Sequence, residues 1–176
     1  MTLQQKMLAK QSKKGFTLVE LVVVIAILAI LAAIAIPAVI GIINSATKSA
    51  GDSDASTLNN ACKTVYAGVK SGTITTKSKD NAGKSCSWAA AEGASNSKRL
   101  EAAKKVTIAN VQAYNGTSLA YDDLYYATKD YTDAHVTKGT IVFCDDEKNK
   151  PTGADTKLAD STTLGTLYGA AEGSGN

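Results

Sequence analysis

The chain has 176 residues and a formal net charge of +3, enough length for one compact domain beside a membrane segment and too little for two. Four of its nineteen basic side chains, Lys6, Lys10, Lys13 and Lys14, stand before residue 16, and beyond that point fifteen basic side chains meet sixteen acidic ones, a net of −1. The basicity is local, no later run of like charge exceeds Asp145-Asp146-Glu147, and a nucleic-acid-binding surface is not expected.

The opening, MTLQQKMLAKQSKKG, is polar. Residues 21–43 then run for 23 positions without a charge, and a helix of that length reaches about 34 Å against the roughly 30 Å hydrocarbon core of a bilayer. The run can span a membrane, and the lysines before it hold its start on the cytoplasmic side, so the rest of the chain faces outward. Two residues depart from a plain anchor. Glu20 puts a carboxylate at the leading edge, where an ionisable group asks for a partner. Pro37 lacks an amide hydrogen and crowds the carbonyl of Ala33, which predicts a bend or a lost hydrogen bond.

After residue 43 the pattern turns amphipathic. Ala55, Leu58, Cys62, Val65 and Val69 recur at intervals of three or four, with Asn59, Asn60 and Lys63 off the stripe, which predicts one helix over about 16–69. Gly51 is a soft spot inside it, and Ser71-Gly72 ends it. Residues 72–87 read as a surface loop. Within it Gly83-Lys84-Ser85 resembles the end of a phosphate-binding loop, but Ser78 stands where that loop needs its first glycine. Residues 97–113 predict a second helix with Leu100, Ala103, Thr107 and Val111 on one face; a strand over 106–111 is the alternative.

Five of the seven tyrosines lie between Tyr114 and Tyr131, and their rings are expected to cover a sheet. Residues 135–137 and 140–144 predict two strands joined at Lys138-Gly139, residues 145–153 a turn-rich loop, and residues 162–168 a last strand. The expected class is α+β, a long N-terminal helix packed on a small antiparallel head domain.

No catalytic constellation emerges. The single histidine, His135, has no nucleophile motif around it and reads as a strand residue, so the chain is not expected to be an enzyme. Three cysteines without a close pair do not seed a zinc site, and no cofactor is expected.

The segment from Gly15 through Phe16, Thr17 and Glu20 into the apolar run and Pro37 closely resembles the class III signal of type IV prepilins and pseudopilins. The resemblance covers about 30 residues of the N-terminal region. It implies a peptidase cut between Gly15 and Phe16, N-methylation of Phe16, and a role for Glu20 and Pro37 in assembly. A secretory signal is cut behind a shorter apolar region; here the cut precedes the run, so the anchor stays on the mature protein. The implied organisation is a leader over 1–15, a membrane or filament-core half-helix over 16–43, and a head over 44–176. The implied partners are further copies of the chain, prepilin peptidase, the pilus assembly machinery and membrane lipid. A type IV pilus subunit for adhesion, twitching motility or biofilm is the first expectation; a pseudopilin of a secretion or DNA-uptake system, or a membrane-anchored minor pilin or adhesin, is the alternative.

The outward-facing head permits a disulfide, most simply Cys62 to Cys86, although three buried thiols fit equally. Many Gram-negative major pilins close a C-terminal loop with two cysteines. This chain has only Cys144 in that region, which fits pilins of Gram-positive bacteria better. Asp145-Asp146-Glu147, near where related pseudopilins bind calcium, reads as a solvated turn.

Overall fold

A computed structural model describes residues 16–119, 123–131, 136–144, 153 and 156–169. The chain divides into two compact units, Met1–Ser45 and Ala46–Asn176. One helix, α1, runs as Leu18–Ser71 through the end of the first unit into the second, with Pro37 inside it. Its bounds fall within two residues of the expectation.

In the first unit every described residue is exposed, and all the exposed large hydrophobic side chains of the described chain lie within 16–43. In the second unit α1 buries Ala55, Leu58, Cys62, Val65 and Val69, the stripe expected from the spacing. Gly72, at φ +84°, ends the helix, and its N–H donates to the Val69 carbonyl at 3.1 Å.

Gly51 is more than a soft spot. It is buried, and a Cβ placed there would lie 2.1 Å from Cδ2 of Phe143, so the missing side chain is the room that ring occupies. Off the stripe, Asn59 has an equally definite task. Its Nδ2 donates to the Ile141 carbonyl at 2.7 Å and its Oδ1 accepts from the Ile141 N–H at 3.0 Å. A side-chain amide thus takes the place of a neighbouring strand.

The helices α2 (Asn96–Lys105) and α3 (Ile108–Asn115) replace the single helix expected over 97–113. The break has a local cause. Thr107 accepts from the Asn110 N–H at 3.3 Å while the Asn110 side chain accepts from the Thr107 N–H at 3.2 Å, a capping box that starts a new helix. The backbone before it pairs with 162–164: Ile108 N–H donates to Thr162 and Leu164 N–H to Val106, around the bridge Thr107 to Thr163. The alternative strand therefore survives as one bridge.

The sheet is antiparallel in the order β2-β1-β3, with β1 (Leu124–Tyr126) central, β2 (Ile141–Phe143) and β3 (Thr156–Lys157). Tyr125 and Tyr126 pair with Val142 and Ile141, and both tyrosines are buried. The tyrosine-rich segment thus supplies the middle strand itself. This corrects the expected hairpin: among the described residues Val136 bridges Tyr131, and 141–143 pairs with β1 instead. Lys138-Gly139 does form a tight turn, with Thr140 N–H donating to Thr137, but the Gly139 N–H goes to Ala127 and the Lys138 N–H to the Asp130 carboxylate. The turn closes, but the residues that flank it are paired elsewhere, Val136 with Tyr131 and Ile141–Phe143 with β1. His135 lies outside the described residues, as do 145–152.

The last expected strand is also corrected. Residues Leu164–Tyr168 form helix α4, capped by Thr163, whose hydroxyl accepts from the Thr166 N–H. Leu164 and Leu167, three apart, are both fully buried, a helical spacing that alternation cannot satisfy.

Gly51→Ala gains about 1 kcal/mol of helix propensity and meets the Phe143 ring, an overpacking cost of about 1–3 kcal/mol. Thermal unfolding followed by fluorescence is expected to show a lower Tm for Gly51→Ala. In a Phe143→Ala background the same substitution is expected to raise it, and a fall in both backgrounds would refute the close-approach account.

Candidate functional site

The start of α1 is built from two residues. Thr17 is the N-cap: its hydroxyl accepts from the Glu20 N–H at 3.2 Å and donates to Glu20 Oε2 at 2.9 Å. The Thr17 N–H also donates to Oε2, at 3.0 Å. Threonine at the cap and glutamate three residues on form a reciprocal capping box, satisfying two amide donors that a helix start leaves open. The carboxylate also lies at the positive end of the helix dipole. Glu20 is therefore held by its own chain, and Thr17 is a site residue whose signal, the T-x-x-E spacing, was present in the sequence.

Phe16 stands just outside this box with an exposed ring. Gly15, the other side of the expected cut, lies outside the described residues. Pro37 is seventeen positions beyond Glu20 on the same uninterrupted helix and is exposed, so no contact joins it to the box. Beyond it, the Ser45 hydroxyl donates to the Gly41 carbonyl at 3.0 Å.

The cysteines form no second site. Cys62, Cys86 and Cys144 are all buried free thiols, so the permitted Cys62–Cys86 bridge is not made here. Cys62 and Cys86 both pack in the apolar core, where each thiol serves as a small hydrophobe. Burial pushes the Cys62 thiol up to about 12. Cys86 is raised too, by burial first and then by the Asp80 carboxylate. Among the described residues no group of three or more His, Cys, Asp or Glu side chains is placed to hold a metal ion.

The loop holding Gly83-Lys84-Ser85 is closed by its own acid. Asp80 Oδ1 accepts from the N–H groups of Ala82 and Lys84 at 3.0 and 2.8 Å, so amides that would cradle a phosphate are already bonded to a carboxylate.

A family model, the prokaryotic N-terminal methylation motif, matches residues 10–36. The chain carries a prepilin-type, class III signal. The matched span contains the Gly15-Phe16 junction, Thr17 and Glu20, and stops one residue short of Pro37. No match was found among curated proteins or among solved structures. The motif, the long apolar N-terminal helix and the three-stranded antiparallel sheet are consistent with a type IV pilin-like prepilin of α+β architecture. They point to a structural protein anchored in a membrane before assembly, and carry no mark of a Gram-positive source.

Loss of an N-cap costs about 1 kcal/mol, or about fivefold in an opening equilibrium. Amide exchange at Glu20 and Leu21 in micelles is therefore expected to quicken about fivefold in Thr17→Val and to stay near the parent rate in Thr17→Ser. Equal rates in all three would mean that the box does not close in the membrane.

Because the thiolate is the reactive form, iodoacetamide at pH 8 is expected to add no carbamidomethyl group to the folded chain. After denaturation without reductant it is expected to add three, one per free cysteine, read by mass spectrometry. A single addition would reveal a disulfide.

Proposed function

We propose that this protein is the structural subunit of a type IV pilus. Prepilin peptidase cuts between Gly15 and Phe16 on the cytoplasmic face and the new Phe16 amine is methylated. Residues 16–43 keep the subunit in the cytoplasmic membrane with the head outside. The assembly machinery then draws the subunits into a filament whose core is made of the same helices, and the polymer serves surface adhesion, twitching motility or biofilm growth. No reaction is assigned to the head.

The observation that carries this reading is the apolar surface of α1: every large hydrophobic side chain exposed among the described residues lies within 16–43. A surface of that extent calls for a cover, and a soluble monomer has none. Lipid provides one before assembly, and neighbouring copies of the same helix provide one after it. Glu20 supports the polymer reading. Cleavage creates a cation at Phe16, and a carboxylate fixed at the head of the helix is suited to meet the amine of a neighbouring subunit in a medium of low dielectric.

The test is electron microscopy of material sheared from cells, with mass spectrometry of the N-terminus of its main protein. Long thin fibres whose subunit begins at a methylated Phe16 are expected. A correctly cut chain that stays in the membrane and yields no fibres would transfer the assignment to a pseudopilin or minor pilin. Gly15→Leu is expected to leave the chain uncut, and Glu20→Ala to permit cutting while abolishing or shortening the fibres. Normal fibres from Glu20→Ala cells would refute the charge pairing.

A further inference from the structure

The second unit holds the only tryptophan of the chain, Trp88. The ring is half-buried and meets Tyr114 edge to face, with centroids 6.1 Å apart and planes at 84°. Packing therefore fixes its orientation before any ligand arrives. Beside it α2 presents Ser97, Lys98, Glu101, Ala102 and Lys105, and together these line a surface cleft of about 370 Å³. That is near the lower end of small-molecule sites, which run from about 300 to 1,000 Å³.

The charges of this cleft are unbalanced. Lys98 and Lys105 are seven residues apart, two turns of one helix face, and among the described residues neither has an ion-pair or hydrogen-bond partner. Glu101 lies between them and is already engaged by Lys104 Nζ at 3.3 Å. Two exposed cations thus flank a fixed indole ring, with a hydroxyl at Ser97 and carboxylate oxygens at Glu101 within the same lining.

We propose that this cleft binds an acidic saccharide. The apolar face of one pyranose ring lies against Trp88, its carboxylate pairs with Lys98 and Lys105, and its hydroxyls bond to Ser97 and Glu101. A polynucleotide fits less well. It needs a track of cations following successive phosphates, whereas here the cations number two and a carboxylate stands between them. The inference concerns the head alone and holds whether the chain builds a long pilus or a short pseudopilus.

Because Trp88 is the sole tryptophan, its emission reports on this cleft and nowhere else. The mature full-length chain in a detergent without sugar groups is titrated with tetragalacturonate. A saturable change in emission is expected, weakening as salt screens the lysines, while an uncharged galactose tetramer gives none. The double variant Lys98→Gln/Lys105→Gln is expected to keep the emission of the free protein and bind about tenfold more weakly. Trp88→Phe, followed by calorimetry, separates stacking from charge and is expected to weaken binding as well. The proposal is overturned by no saturable response, by equal binding of the neutral tetramer, by undiminished binding in the lysine variant, or by tighter binding of a single-stranded oligodeoxynucleotide.

Discussion

The transfer of α1's apolar side chains out of water is the interaction on which the rest of the molecule depends. Within 16–43 the helix exposes Phe16 and a succession of Leu, Ile and Val side chains, each worth about 1.5–3 kcal/mol when fully buried. Their sum reaches some tens of kcal/mol. The about 2.5–3.5 kcal/mol that a carboxylate costs even at the bilayer centre is small beside that, and Glu20 sits at the end of the run, where its cost is lower. A membrane-spanning run of this length therefore tolerates Glu20, whose carboxylate caps the helix.

A second constraint governs the head. Its sheet has strands of three, three and two residues, too little to stand as an independent unit. Stability has to come from the helix packed against it and from care of the edges. Asn59 on α1 satisfies both the N–H and the carbonyl of Ile141 on the edge strand β2. The same device recurs at Gln112, a buried polar side chain whose Oε1 accepts from Leu119 N–H at 2.7 Å and whose Nε2 donates to the Leu119 carbonyl. Each amide satisfies both backbone groups of one residue without adding a strand, and on the edge strand β2 this removes a template for unwanted pairing. Together with Gly51 against Phe143, Asn59 ties both ends of β2, Ile141 and Phe143, to one helix.

What could be read from the sequence follows from the range of the interactions involved. The stripe Ala55, Leu58, Cys62, Val65 and Val69 is a local period, and the prepilin-type signal matched over residues 10–36 is a local spacing, so both were legible. The capping box at Thr107 was also local, but its cap lay on the apolar face of a longer helical pattern and was outvoted by it. Residues 162–168 carry threonines that favour strands, and only the joint burial of Leu164 and Leu167 selects the helix. The hairpin at Lys138-Gly139 failed for another reason: its turn forms, but Val136 pairs with Tyr131 and Ile141–Phe143 with Leu124–Tyr126, a partner strand that no window around the turn contains. Asn59 and Gly51 were invisible for the same cause, their partners lying more than eighty residues away in β2.

The capping box also bears on how a polymer could use Glu20. A carboxylate offers about four lone-pair positions, and both bonds from Thr17 fall on Oε2. Oε1 takes part in neither. If the amine of a neighbouring subunit binds there, the contact is added to the cap and does not compete with it. The cap then fixes the carboxylate on the helix before the neighbour arrives, so that less side-chain entropy is lost when the pair forms. On this view Thr17 and Glu20 act as one unit, the first holding the second in place, and the register between subunits is set by a group whose position the fold of the single chain has already decided.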